Sequence, residues 1–262
     1  MQNDFFRQRS SSMDKHFKIS NMREKMKVLA INGSPKGKKS CTDKILQPFL
    51  EGMQEKDTET EIIYLTDKKI HNCIGCFTCW FKTPGKCIFN DDMEELLKKF
   101  IDADFIIFGT PLYFFTMSGL LKNFLDRLLP LSLPFMKKSK TGLISHPSRY
   151  SSKPKKYFLI SPCGLPDIDH FNALITTFKQ IAKAGECEYL GEIVRPAASM
   201  MEIPQFQEKI KSYFILLKKA GKQIIENNKI DKDTHKMLQL PWITPDDFIV
   251  KLNEYFKSII PT

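Results

Sequence analysis

The stretch Lys27-Val28-Leu29-Ala30-Ile31-Asn32-Gly33-Ser34-Pro35-Lys36-Gly37-Lys38-Lys39-Ser40-Cys41-Thr42 decides the architecture. Its first five residues read as a buried strand. A turn rich in glycine and lysine follows, and Ser40 stands where a helix cap belongs. Ile45, Leu46, Phe49, Leu50 and Met53 then recur at helical spacing. Pro48 lies inside that pattern and predicts a kink. Gly33 and Gly37 permit a sharp turn, and Ser34, Ser40 and Thr42 add hydroxyls. The open N–H groups of the helix start would face the loop, a ready anion site. Neither G-x-x-x-x-G-K-[ST] nor G-x-G-x-x-G is present. Taken by themselves, these residues leave open an ordinary strand–helix turn with a serine cap.

The rest of the chain repeats this alternation. Glu61–Leu65 reads as a second strand and Phe105–Phe108 as a third, a short apolar run covered on both faces. Tyr157–Ile160 is the fourth and Tyr189–Val194 the fifth. A helix is expected to open at Asn90-Asp91-Asp92, and others over about 117–128 and 168–183, over 204–227, and from the Thr244-Pro245 start to about 257. Residues 130–154 hold five prolines or glycines and no sustained period, and read as a long connection. Strands alternating with helices predict an α/β fold, a doubly wound parallel sheet of five strands in order 2-1-3-4-5 between two helical layers. Ligands of such sheets sit beyond the strand carboxyl ends. The expected organisation is a polar N-terminal arm at 1–26, a ligand-binding domain at 27–200, and a helical extension at 201–262 packing on the domain or on a neighbouring subunit.

Composition narrows the classes. The chain has 262 residues, 42% hydrophobic and 27% charged, which excludes a wholly disordered or collagenous protein. The net charge of +10 suits anionic partners, although no nucleic-acid motif accompanies it. The longest uncharged run, 105–121, is short for a bilayer and is broken by Gly109, Pro111 and Gly119. No membrane span is expected. The N-terminal residues lack a secretory h-region, so the expected location is cytoplasmic.

Seven cysteines are present, and four crowd into Cys73-Ile74-Gly75-Cys76-Phe77-Thr78-Cys79 with Cys87 after seven residues. Two C-x-x-C steps, with the fourth thiol returned by the Pro84-Gly85 turn, suit an iron–sulfur cluster better than structural zinc. A set of unligated thiols is the alternative. The loop after the third strand offers Pro111, Leu112, Tyr113, Phe114 and Phe115, suited to a flat ring system or to core packing. Cys163-Gly164 after the fourth strand allows close backbone approach. His71 and His146 read as surface or hydrogen-bonded histidines, and Asp126-Arg127 reads as structural.

Several stretches together carry a resemblance. They are Asn32-Gly33-Ser34-Pro35-Lys36, Cys73 to Cys87 with Asp91-Asp92-Met93, Thr110-Pro111-Leu112-Tyr113, and Gly119 through Arg127. Over about 27–195 the chain resembles the NAD(P)H-dependent FMN reductase branch of the flavodoxin-like superfamily, and within it the iron–sulfur flavoproteins. The resemblance implies FMN, its phosphate at Ser34, Lys36, Ser40, Cys41 and Thr42. It implies an isoalloxazine loop at Pro111, Leu112, Tyr113 and Phe114, and a third flavin loop at Ser161, Pro162, Cys163 and Gly164. A 4Fe–4S cluster would sit on Cys73, Cys76, Cys79 and Cys87. NAD(P)H is the implied donor, and a small molecule or a ferredoxin-like protein the implied redox partner. A homodimer or homotetramer is also implied. The competing class is a flavodoxin-like electron carrier or redox sensor without its own substrate.

Overall fold

The computed structural model describes residues 25–140, 142–150 and 154–260. The expected polar arm therefore lies outside the described residues except for Lys25 and Met26. The main sheet comprises β1 (Met26–Asn32), β2 (Thr58–Tyr64), β3 (Phe105–Gly109), β4 (Lys156–Pro162) and β5 (Glu188–Arg195). All neighbours are parallel, in the order β2-β1-β3-β4-β5. This is the flavodoxin-like order expected from the alternation of elements.

Strand periodicity explains the two cores. Val28 and Ala30 of β1, Phe105 and Ile107 of β3, and Phe158 and Ile160 of β4 point to one face. Leu29 and Ile31, Ile106 and Phe108, and Tyr157 and Leu159 point to the other. Helices α1 (Cys41–Gln54) and α5 (Gln207–Asn227) cover the first face. Helices α2 (Met93–Asp102), α3 (Gly119–Asp126) and α4 (Asn172–Ala184) cover the second. Helix α1 runs on through Pro48.

The crossing of α1 and α5 rests on two glycines. A Cβ on Gly52 would stand 1.9 Å from the Lys218 carbonyl oxygen, and one on Gly221 would stand 2.0 Å from that of Phe49. The backbones touch there, which only residues without a side chain permit. Phe49 is thereby pressed onto Phe158, with ring centroids 5.1 Å apart and the rings stacked.

Some elements were not evident in the sequence. Two-residue strands at Lys137–Lys138 and Ile144–Ser145 pair antiparallel inside the long connection. They are too short to show a period. Helix α6 (Lys232–Gln239) begins at Asp231, whose side chain accepts from the Thr234 N–H. The following segment is held by Arg195, which donates to the Leu238 and Leu240 carbonyls and lies over Trp242 at 3.9 Å. Helix α7 (Pro245–Ile259) starts at the expected Thr244 cap. Phe248 is its one buried residue, while Ile249 and Phe256 stay exposed.

The α1–α5 contact yields a test. Gly221→Ala should force the helices apart and lower unfolding stability by about 1–3 kcal/mol. Gly119→Ala, where nothing lies within 4 Å of the new Cβ, should be close to neutral. Urea denaturation of the two variants makes the comparison.

Candidate functional site

Three loops leave the carboxyl ends of β1, β3 and β4, and the backbone stitches them together. Gly33 N–H donates to the Gly109 carbonyl at 2.7 Å, and Ser118 Oγ donates to the Gly33 carbonyl at 2.5 Å. The same hydroxyl caps α3 by accepting from the Leu121 N–H. Thr110 Oγ1 accepts from the Ser118 N–H, and Leu112 N–H donates to the Pro162 carbonyl at 2.9 Å. A Cβ at Gly33 would lie 2.7 Å from Leu121 Cβ, so the loop after β1 approaches α3 only because position 33 is glycine.

The first loop is shaped by Asn32. Its Oδ1 accepts from the Ser34 N–H at 2.9 Å, an Asx turn that starts the loop. Asn32 Nδ2 and the Tyr64 hydroxyl both donate to Asp43 Oδ1. Burial pushes the Tyr64 phenol up to about 12, with Asp43 adding to the shift. Ser34 is buried and its Oγ accepts from the Lys36 N–H, while Lys36 itself is exposed. Ser40 Oγ is committed to structure: it donates to the Gly37 carbonyl and accepts from the Asp43 N–H. The first helical bond of α1 runs from Lys44 to the Ser40 carbonyl. The Cys41 and Thr42 amides precede it and have no intrahelical acceptor. The Cys41 thiol turns away toward the Ala198 carbonyl at 3.5 Å, and burial raises its pKa. Cys41 thus offers the loop its backbone rather than its sulfur. Thr42 Oγ1 and Ser161 Oγ are buried without a partner among the described residues. Two such hydroxyls, one in the first turn of α1 and one near the carboxyl end of β4, suit a site completed by a polar ligand.

The second loop makes a two-residue turn closed by both backbone bonds between Tyr113 and Thr116, each 2.9 Å. Its central residues, Phe114 and Phe115, have φ of 45° and 61°. Turns with two positive φ values prefer Asn-Gly, so two aromatics here hold strain. Phe114 is 98% exposed, and the Phe115 ring lies 5.4 Å from the ring of His170 in the segment after β4. In the third loop Cys163 is buried, its thiol accepts from the Leu165 N–H, and burial raises its pKa. Gly164 is exposed.

The cysteine loop closes on one buried ion pair. Asp91 and Arg127 meet through two bonds of 2.7 and 3.0 Å, with side chains 0% and 1% exposed. Asp91 also accepts from the backbone N–H groups of His71 and Met93. Arg127 donates to the His71 carbonyl at 2.6 Å and lies over the Phe89 ring. Burial alone would raise the Asp91 carboxyl, but Arg127 and the His71 N–H outweigh it and bring the pKa to about 2. Both ends of the loop are therefore tied to α3.

Within the loop, Phe77 takes the left-handed conformation and begins a one-turn helix, Thr78–Phe81. The Gly85 N–H donates to the Cys79 carbonyl at 3.0 Å, which returns the chain as the Pro84-Gly85 turn implied. Cys73, Cys76, Cys79 and Cys87 line one recess with Phe77, Ile88 and Arg127. All four are unpaired thiols. Hydrogen bonds from Thr78 lower the Cys76 pKa, whereas burial and then the charge of Cys87 raise that of Cys79. Among the described residues no three His, Cys, Asp or Glu side chains converge closely enough for a single metal ion. Four cysteine thiols on one recess are the type of donor set that an iron–sulfur cluster uses.

Several residues that shape these loops escaped the sequence reading. Ser118 could have been found as a cap before the apolar run of α3. Arg127 was expected to be structural beside Asp126, but Asp126 pairs with Lys122 at 2.6 Å instead. Its true partner lies 36 residues away, and no local pattern marks it. His71 does hydrogen-bond as expected, to Asp91, and His146 bonds to the Phe135 carbonyl while packing on Trp80.

Comparison with known proteins agrees with this architecture. Residues 26–145 match the family model described as NADPH-dependent FMN reductase. An iron–sulfur flavoprotein of Methanocaldococcus jannaschii is 43% identical over 117 residues, covering 45% of this chain and 59% of the relative. One from Archaeoglobus fulgidus is 42% identical over 102 residues, covering 39% and 48%. The chain thus spans about half the length of the curated relatives it matches. Among solved structures, an FMN-dependent NADH-azoreductase from Bacillus anthracis in complex with FMN superposes with a TM-score of 0.57 at 18% identity. That match covers 76% of this chain and 99% of the azoreductase, and shows the shared fold. The resemblance read from the motifs holds. Among the described residues no helix is long and apolar enough to cross a membrane.

Asp91→Asn should cost about 3–5 kcal/mol, because it leaves a buried guanidinium without its charge partner. It should also expose residues 72–90 to limited proteolysis. Asp126→Asn, which touches only a surface pair, should stay within about 1 kcal/mol of the parent. Thermal melts and protease digestion report both effects.

Proposed function

We propose that the chain is an FMN-dependent oxidoreductase that draws electrons from NAD(P)H. The reading is carried by one observation. The loops after β1, β3 and β4 are locked together at the strand carboxyl ends, with an anion-type turn on one side and an exposed aromatic turn on the other. The family match over 26–145 and the iron–sulfur flavoprotein relatives support it.

In this reading the Cys41 and Thr42 amides, the Ser34 hydroxyl and the Lys36 ammonium bind the phosphate. Ser40 acts through the helix it caps. Pro111, Leu112, Tyr113 and Phe114 lie along the ring system and exclude water from it. Ser161, Pro162, Cys163 and Gly164 close the third side through their backbone and the Ser161 hydroxyl. Bound FMN supplies the interchange between two-electron and one-electron chemistry, which no side chain can perform. Cys73, Cys76, Cys79 and Cys87 would hold a 4Fe–4S cluster, for which the chain offers the thiolates and the Arg127 charge behind them. Helix α3 begins at the locked loops and ends beside the cysteine recess. Its eight residues span roughly 12 Å. The redox partner is then a small molecule or an acidic ferredoxin-like protein, whose encounter a +10 charge would favour. The exposed apolar side chains of α7, Ile249 and Phe256 among them, offer a subunit contact for a homodimer or homotetramer.

Three measurements test these assignments. Protein purified without oxygen should show a flavin spectrum and oxidise NADH or NADPH; a flavin-bearing protein inert to both would instead be a carrier or sensor. Ser34→Asp sets a carboxylate against the phosphate and should purify with much less flavin; undiminished flavin would remove Ser34 from the site. About four irons per chain are expected, lost in Cys76→Ala, and iron-free protein after anaerobic reconstitution would leave these cysteines as ordinary thiols. The strained turn gives a further prediction. Phe114→Asn combined with Phe115→Gly should raise stability by about 1–2 kcal/mol and weaken flavin retention, as read by melting and by equilibrium dialysis.

A further inference from the structure

A second cavity lies at the opposite end of the sheet from the locked loops. Its volume is about 630 Å³, within the range of small-molecule sites. Its floor is formed by Tyr157 at the start of β4 and Cys187 just before β5. Phe100 of α2 and Leu131 of the long connection are among its apolar walls. Tyr157 and Ser161 stand on β4 with three residues between them, so roughly 13 Å of strand separates this floor from the Ser161–Gly164 loop. The cavity is no part of the proposed flavin site.

Its charge is lopsided. Lys137, Lys140 and Lys155 line it, against the single carboxylate of Glu186. Glu186 acts as a latch. Its carboxylate accepts from Lys137 Nζ at 2.9 Å and from the Lys140 N–H at 3.1 Å, fastening the Lys137–Lys138 strand over the cavity. That use consumes the one carboxylate among the described lining residues. Lys155 Nζ donates to the Ile101 and Ala103 carbonyls at the end of α2, two acceptors that hold the ammonium in place while burial lowers its pKa. The Tyr157 hydroxyl and the Cys187 thiol interact on the floor, and burial raises the pKa of each. The cavity thus joins apolar and aromatic walls to an excess of ammonium groups.

We propose that this cavity binds a small organic anion with an aromatic body, such as an aryl carboxylate or sulfonate. Leu131 and the half-exposed ring of Tyr150, which also line the cavity, meet the flat apolar part, and Lys140 and Lys155 meet the anionic head. The proposal also gives the long connection a role. Its two short strands exist to carry Lys137 and Lys140 across the cavity mouth.

The test uses the full chain with its natural complement of cofactors and 8-anilinonaphthalene-1-sulfonate as the probe. Fluorescence titration should show one saturable site per chain, competed by benzoate and at least tenfold less well by neutral benzamide. Lys140→Glu reverses a charge at the mouth and should weaken the probe by about tenfold or more, with flavin content and circular dichroism unchanged. Leu131→Trp, which fills the cavity, should abolish the saturable site. Parent-like binding in Lys140→Glu, or equal competition by benzamide and benzoate, would overturn the proposal. Should Leu131→Trp not fold, Lys140→Glu and the competition pair still decide.

Discussion

The buried pairing of Asp91 with Arg127 is the constraint on which the site depends. A carboxylate and a guanidinium withdrawn from water are tolerated only when geometry and extra hydrogen bonds repay desolvation. Here the repayment comes from the backbone of His71 and Met93 and from the face of Phe89. These partners stand at the two ends of the cysteine loop, so satisfying the charges also fixes the loop. An excursion without long regular structure is held as firmly as a helix end. The four thiols face one recess because both of its approaches are anchored on α3.

A second set of constraints acts through the backbone. Ser118 caps α3 and binds the Gly33 carbonyl with the same hydroxyl. Asn32 turns the chain immediately before that glycine. The loops after β1 and β3 therefore cannot move independently, and the helix between the aromatic turn and the cysteine recess shares their position. The aromatic turn itself contradicts local preference, since Phe114 and Phe115 occupy conformations suited to Asn and Gly. Positions that break a local rule while the surroundings obey theirs are where function is expected.

Much of this was legible beforehand because the deciding signals are local. Val28 to Ile31 alternate between two cores, Thr244 caps its helix, and the apolar stripe of α1 keeps its period past Pro48. The cysteine spacing was likewise plain, as was the return of Cys87 through Pro84-Gly85. What stayed hidden depends on distant partners. The sequence around Arg127 favours Asp126 as its neighbour, and only the fold supplies Asp91. Cys41 reads as a loop residue, yet its thiol turns to Ala198 because α1 faces the C-terminal segment there. The short strands over the second cavity are held by Glu186, far along the chain, and carry no periodic signal.

The glycine crossing of α1 with α5 bears on the order of assembly. Gly52 and Gly221 lie about 170 residues apart in the chain, yet their helices meet backbone to backbone. Until α5 arrives, the surface of α1 that carries Phe49 has the sheet beneath it and no helix beside it. Contacts this remote close late and slow the search for the native state. During synthesis the first βαβ unit would wait, incompletely covered, for more than half of the chain to follow. The nascent protein is then most exposed to misassociation in that interval, and chaperone dependence should track the integrity of α5.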